Sequence, residues 1–226
     1  MSYILSLETA TPTCSVALHH DDSLLAEQGF HLDKSHSSIL HPLVRDMLSY
    51  CDVLPHQLSA VAISQGPGSY TGLRIGASAA KGFCYALDIP LIAVDTLEAM
   101  AWSVQKYNIQ EAWLCPMLDA RRMEVYCQVR SADFIELMPT QPFIVDEQSF
   151  RNDLQNNSII FFGSGSDKCQ NLISSPRALF IKDIKPSASS VGDLAISKFR
   201  QEKFEDVAYF VPNYLKEFRT TKPKKK

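Results

Sequence analysis

The order in which strands and helices can be read along this chain repeats itself, and few folds accept such an order. Residues 4–7 read as a buried strand, 14–19 as a second with alternating pattern, and 24–28 as a third after the turn His20-Asp21-Asp22-Ser23. Across 35–51 apolar residues fall at 39, 40, 43, 44, 47, 48 and 51, which is helical spacing with a wide apolar face. Pro42 bends or tightens the first turns of that helix. A strand at 60–63, a helix at 71–87, a strand at 91–94 and a helix at 96–106, with Thr96 as its cap, complete the first half. After a loop at 107–111 the spelling starts again. Strands are expected at 113–118, 124–129 and 134–137, and then a loop at 139–142. Asp146 caps a helix reaching about Leu154, 159–162 is a strand, 167–172 a short helix and 179–181 a strand. Ser189 or Ser190 caps a last helix that runs to about Arg200.

Each half therefore reads βββαβαβα. Two such copies give two five-stranded mixed sheets with helices on their faces, opposed across a cleft. This is an α/β chain with the architecture of the actin-like ATPase fold. The expected division is a first lobe over 1–106, a second over 107–218, and a basic tail over 219–226 that is disordered and solvated.

The stretch SAVAISQGPGSYTGLRIGASAAKGFCYAL, residues 59–87, organises the first half. Its strand runs into Gly66, Pro67 and Gly68, and Ser69 or Thr71 can cap the helix that follows. Free backbone N–H groups and the helix dipole make such a junction either an anion cradle or a purely structural tight turn. The glycines fit neither the dinucleotide fingerprint nor the P-loop, whose Lys follows a glycine and precedes Ser or Thr. Within the helix Gly72, Gly76 and Ala80 recur at a spacing of four. An interior Gly costs about 1 kcal/mol against Ala, so a row of small residues implies another backbone close by. That backbone belongs either to this chain or to a partner.

The 226 residues carry a net charge of −3, which excludes nucleic-acid binding by the bulk surface, and 46% hydrophobic content is enough for a substantial core. Six cysteines stand singly, with no C-x-x-C pair, and read as buried free thiols of a reducing cytoplasm. Residues 1–7 lack the basic region and longer apolar stretch of a signal peptide, and no apolar run approaches the ~18 residues of a membrane span. The expectation is a soluble cytoplasmic protein.

GPGSYTGLRIGASAAKG resembles the signature of the TsaB (YeaZ) family of bacterial tRNA-modification proteins. SLETATPTCSVAL resembles that family's first hairpin, and HSSILHPLVRDML its first long helix, Pro42 included. IPLIAVDTLEAMA, DARRMEVY and PNYLKEF also follow its pattern, although Arg122 and Met123 stand where the pattern has Met and Gly. The resemblance is specific over residues 1 to about 126 and thins from there to Pro212. It implies a part in forming N6-threonylcarbamoyladenosine in tRNAs that read codons beginning with A. The transfer itself would be done by a paralogue, TsaD, helped by an ATPase, TsaE, with this chain as a non-catalytic activating scaffold. The older glycoprotease label of these families reflects no visible active site.

The residues that could carry chemistry bear on the alternative, an ATP-dependent phosphotransferase or metal-dependent hydrolase of the same fold. In the catalytic paralogue two histidines four apart hold a metal; the matching places here are Thr96 and Met100, which cannot replace them. His36 and His41 are five apart and point about 140° away from each other on a helix. His19, His20 and Asp21 sit in a hairpin turn and read as solvated. Glu8, Thr9 and Thr11 keep a remnant of a phosphate-binding first turn, and Gly163 and Gly165 stand where a second phosphate loop would be. No Lys, Arg or Asp is poised beside either to handle phosphate charge. Glu8, Thr9, Gly66, Gly68, Gly163 and Gly165 are thus vestigial phosphate loops. No nucleophile can be nominated, because Ser69 lies outside a G-x-S-x-G elbow and no cysteine has a histidine beside it. No catalytic residue, metal ligand or cofactor is expected.

What remains is surface for association. Helices 35–51 and 71–87 have more apolar surface than one sheet requires, either to pack on each other or to bind a partner. Ile39, Leu43, Met47, Gly72, Leu73, Gly76 and Ala80 are the expected partner-binding residues. By resemblance the partner is a TsaD-like paralogue, met in a four-helix arrangement, with a TsaE-like ATPase in a larger complex. Homodimerisation stays open, tRNA is contacted indirectly, and no membrane is involved.

Overall fold

The structure is a computed structural model that describes residues 1–32 and 36–216. Three antiparallel strands, β1 (Tyr3–Glu8), β2 (Thr13–His20) and β3 (Ser23–His31), open the chain. Helix α1 (His36–Tyr50), strand β4 (Leu58–Ser64), helix α2 (Tyr70–Leu87), strand β5 (Leu91–Val94) and helix α3 (Thr96–Gln105) follow. The second half supplies β6 (Trp113–Asp119), β7 (Glu124–Arg130), β8 (Glu136–Ile144), α4 (Asp153–Asn156), β9 (Ile159–Phe162), β10 (Ala178–Ile181) and α5 (Ala188–Arg200). The two sheets have strand orders β3-β2-β1-β4-β5 and β10-β9-β6-β7-β8, the same order twice. The repeat read from the residues is therefore a repeat of topology.

Alternation on β1 decides what each side of the first sheet meets, because successive side chains point to opposite faces. Leu5 and Leu7 face outward into a core with Leu40, Leu43 and Met47 of α1 and Ala77 and Ala80 of α2. Ile4 faces inward with Ala60, Ala62, Ile92 and Val94, and there it meets Val191 and Ala195 of α5. Helix α3 does the reciprocal work: Leu97, Met100 and Val104 pack with Leu114, Leu118 and Phe162 of the second sheet. The last helix of each half thus covers a sheet of the other half. Ionic contacts follow the exchange, with Lys106 Nζ 2.5 Å from Asp193 Oδ2 and Arg130 donating to Glu98 at 3.0 Å.

Several expected boundaries change for physical reasons. The α3 cap is Asp95 rather than Thr96: its Oδ1 accepts from the N–H groups of Leu97 and Glu98 at 2.8 and 3.0 Å. Ser187 caps α5, accepting from Ser190 N, in place of Ser189 or Ser190. β8 begins at Glu136 and continues through Pro139 and Pro142, where a loop was expected. It is an edge strand, which tolerates the missing N–H of proline. Asp146 caps only a turn, accepting from Gln148 N at 3.0 Å, and the helix there shrinks to residues 153–156. The short helix expected at 167–172 is one 3-10 turn, Asp167–Cys169. The residues expected as a disordered tail, 219–226, and Ser35 at the start of the first helix lie outside the described residues.

Candidate functional site

α1 and α2 lie side by side on the outer face of the first sheet, and a groove of about 910 Å³ opens between them. Leu40, His41, Arg74, Ile75, Ala79 and Phe83 are among the residues that line it. The His41 and Phe83 rings stand 5.6 Å apart across it. Each helix is apolar over more than the arc its sheet needs, so Ile39, Ile75 and Phe83 remain half-exposed after the core is filled. Tyr85, further along α2, is 87% exposed. Helix–helix contact inside the chain and spare apolar surface outside it coexist here. The lining is mainly apolar, with the hydroxyls of Ser37, Thr71 and Ser78 and, among the described residues, the guanidinium of Arg74, which lies 5.1 Å from the Tyr70 ring.

The structure corrects the position of the expected docking residues. Gly72, Leu73, Gly76 and Ala80 are buried on the inward side of α2, and Leu43 and Met47 are buried under α1. A Cβ on Gly72 would lie 2.1 Å from the Thr9 carbonyl oxygen, and one on Gly76 would lie 2.2 Å from Thr9 Oγ1. The backbone that the small-residue row admits is this chain's own first hairpin turn. Of the seven expected residues, Ile39 alone keeps partial exposure. The groove uses the next stripe round the helix, at 75, 79, 82, 83 and 86. That stripe also recurs at helical spacing in the residues and was overshadowed by the glycine row. Gly82 lies on it, exposed, with nothing within 4 Å of a Cβ added there.

The expected phosphate loops are filled by the chain itself. Ser69 N donates to the Ala10 carbonyl at 2.6 Å, and the Ser69 hydroxyl accepts from Gly72 N at 3.3 Å. Those N–H groups at the α2 start are thus occupied. A Cβ on Gly68 would meet Ala10 O at 2.3 Å; Gly66, at φ +111°, packs against the Asn213 carbonyl. Asn213 N in turn donates to Gln65 O at 2.7 Å, so the segment after α5 crosses over this loop. In the second half Gly163, at φ +93°, and Gly165 pack on Met117 and Leu118 of β6. Both loops are turns packed closely against the rest of the chain.

Glu8 ends β1 on the inner face and has no exposed surface. Its Oε1 accepts from Ala10 N at 2.5 Å, while among the described residues Oε2 and the hydroxyls of Thr9 and Ser64 have no hydrogen-bond partner. Burial pushes its carboxyl up to about 7, against the weaker opposing pull of the Ala10 amide and the nearby Ser64 hydroxyl. Asp95 is raised to about 6, also by burial, with its cap hydrogen bonds opposing. Thr96 and Met100 are both fully buried, Met100 with its methyl against Gly163. Among the described residues no three His, Cys, Asp or Glu side chains converge as a metal site would require. His19, expected as solvated, is buried, its Nε2 3.3 Å from Asp193 Oδ1. Among the described residues no helix is long and apolar enough to cross a membrane.

Comparison with known proteins places this geometry. A family model described as TsaD: tRNA N6-adenosine threonylcarbamoyltransferase matches residues 30–224. The tRNA threonylcarbamoyladenosine biosynthesis protein TsaB of Bacillus subtilis is 30% identical over 225 residues, covering 94% of this chain and 93% of that protein. A Pseudomonas aeruginosa crystal structure, described as similar to peptidase YEAZ, superposes with a TM-score of 0.85 at 26% identity, over 96% of this chain and all of that one. An ADPNP-bound activator of 2-hydroxyisocaproyl-CoA dehydratase from Clostridium difficile reaches a TM-score of 0.52 at 7% identity, covering 90% of this chain and 98% of that one, a likeness of fold alone.

Proposed function

The chain belongs to the TsaB family, and from that premise we propose that it serves tRNA threonylcarbamoyladenosine biosynthesis as a non-catalytic subunit docking a TsaD-like paralogue. The observation that carries the docking role is the α1–α2 groove, whose apolar lining is left over after both helices have covered their sheet. The loops where an actin-like enzyme would hold phosphate are packed by Ala10, Asn213 and β6. That packing disfavours a phosphotransferase or hydrolase reading.

In this reading the paralogue lays its own pair of helices against α1 and α2, burying Ile75, Phe83 and Tyr85. A TsaE-like ATPase joins the larger assembly. A second copy of this chain competes for the groove only when the paralogue is absent. The decisive experiment is capture of the purified paralogue by wild-type chain and by Gly82→Glu. Position 82 is open, so the variant folds, while its carboxylate is forced without a counter-ion into the apolar contact. Loss of capture with an unchanged melting temperature supports the groove. Capture at wild-type affinity rules it out.

A further inference from the structure

The hairpin joining β6 to β7 is built against its own turn preferences. Arg121 and Arg122 sit side by side at φ 72° and 54°, in left-handed backbone. Short hairpins fill such positions with Gly, Asn or Asp, because a longer side chain's Cβ is crowded there. Here two exposed arginines occupy them instead.

The base of the hairpin is already neutralised. Lys168 Nζ donates to the Asp119 carboxylate and to the carbonyls of Arg122 and Glu124, at 2.6 and 2.7 Å for the latter two. Lys216 Nζ donates to the Glu124 carboxylate and lies 5.5 Å from the centre of the Tyr126 ring. Asp119 and Glu124 are therefore each paired with a lysine. Arg121 keeps a diffuse attraction to Asp119, and the Arg122 guanidinium meets no carboxylate among the described residues. Two residues before Lys216, Tyr214 rests on Tyr70 at 4.8 Å, with Arg74 beyond.

We propose that the β6–β7 tip, through Arg121 and Arg122, is a docking site for the phosphate backbone of RNA. The guanidinium fork matches a phosphodiester's oxygens two at a time, and such contact fixes position without reading bases. The proposal rests on the tRNA-modifying role given above and replaces the expected indirect contact with a direct one. Arg121 and Arg122 are not among the residues that line the α1–α2 groove.

The test is fluorescence anisotropy of a labelled tRNA transcript with the full chain, over a salt series. The variant Arg121→Gly/Arg122→Gly suits the left-handed turn, so its melting temperature does not fall. Its affinity is expected to drop about tenfold at low salt, with a log–log salt slope smaller by about 1.4 for two lost phosphate contacts. Arg121→Lys/Arg122→Lys retains most of the binding. Equal RNA binding by the glycine variant and wild type overturns the site, as does absence of RNA binding by wild type. Tighter binding of polyglutamate than of RNA overturns it in favour of an acidic protein surface. Paralogue capture, measured on the same samples, separates the two readings. If capture persists while the RNA effect is missing, this inference fails alone; if wild type captures no paralogue, the docking reading fails.

Discussion

The two halves of this molecule share a strand order and differ in what covers it. On the first sheet the outer layer is a pair of full helices, α1 of 15 residues and α2 of 18. On the second sheet the corresponding layer is α4 of 4 residues and a 3-10 turn of 3. Phe143, Phe150, Phe161 and Phe180 stand close enough to stack there, so aromatic bulk closes the second core where helices close the first. Only paired helices leave a long groove between them. The two sheets share one strand order, and the groove proposed for docking lies on the half with the full helices.

The largest expected effect tests how tightly the first half is closed around its own turn. Gly76→Glu puts a carboxylate where a Cβ alone already lies 2.2 Å from Thr9 Oγ1. Overpacking and an unpaired buried charge together cost more than about 4 kcal/mol, a large share of the usual 5–15 kcal/mol of total stability. The expected outcome is an unfolded or insoluble protein by circular dichroism. Gly82→Glu, six residues along the same helix, melts like wild type and binds the paralogue more than about a hundredfold more weakly, a loss of about 3 kcal/mol. A folded Gly76→Glu chain would mean that the inward face is looser than drawn.

Glu8 offers a test of the same closed turn by proton binding. Its carboxyl titrates near 4.5 when unfolded and near 7 when folded, so the folded state holds the proton more tightly. Its stabilising contribution is complete below pH 4.5 and is lost as pH rises through about 7. The shift corresponds to about 3 kcal/mol, most of which falls between roughly pH 5 and 8. Asp95 acts in the same sense, and Asp119 and Asp193, both lowered, act against it. Urea titrations at both pH values should show Glu8→Gln losing less stability than wild type across that window. Parallel pH profiles would place water at Glu8 and remove the turn from the argument.

What the residues disclosed follows the same divide. Strands written as short apolar runs, such as 60–63 and 159–162, were legible because burial on both faces leaves no other pattern. The long helices were legible from their spacing. The lost helices of the second half were not: Asp146 followed by Gln148 and Ser149 offers the same side-chain acceptor whether a turn or a helix comes next. The proposed docking surface was half legible. A wide apolar face announced spare surface on α1 and α2, but which stripe faced inward depended on Thr9, more than sixty residues away in the chain. Long-range contact of that kind leaves no local signal. The polar inner layer around Glu8 and Ser64 was likewise out of reach, because α5, which packs on that face of the sheet, lies more than a hundred residues on.

The smallest expected effect asks whether the outer layers differ in helix formation as well as in length. Ser69 Oγ accepts from Gly72 N at 3.3 Å and stabilises the first turn of α2. Asn152, at the start of α4, is in helical backbone and makes no cap hydrogen bond. Removing a cap that is used costs about 1 kcal/mol, because an N–H at the helix start loses its acceptor. Removing one that is not used leaves the N–H groups as they were. Ser69→Ala should therefore lower stability by about 1 kcal/mol in urea, and Asn152→Ala should leave it unchanged within about 0.3 kcal/mol. A loss of similar size from both changes would mean that α4 is capped in solution, and that the second outer layer is a frayed copy of the first. A loss from Ser69→Ala alone would mean that the second half no longer relies on a helix there, and that its core is held by the aromatic residues beneath.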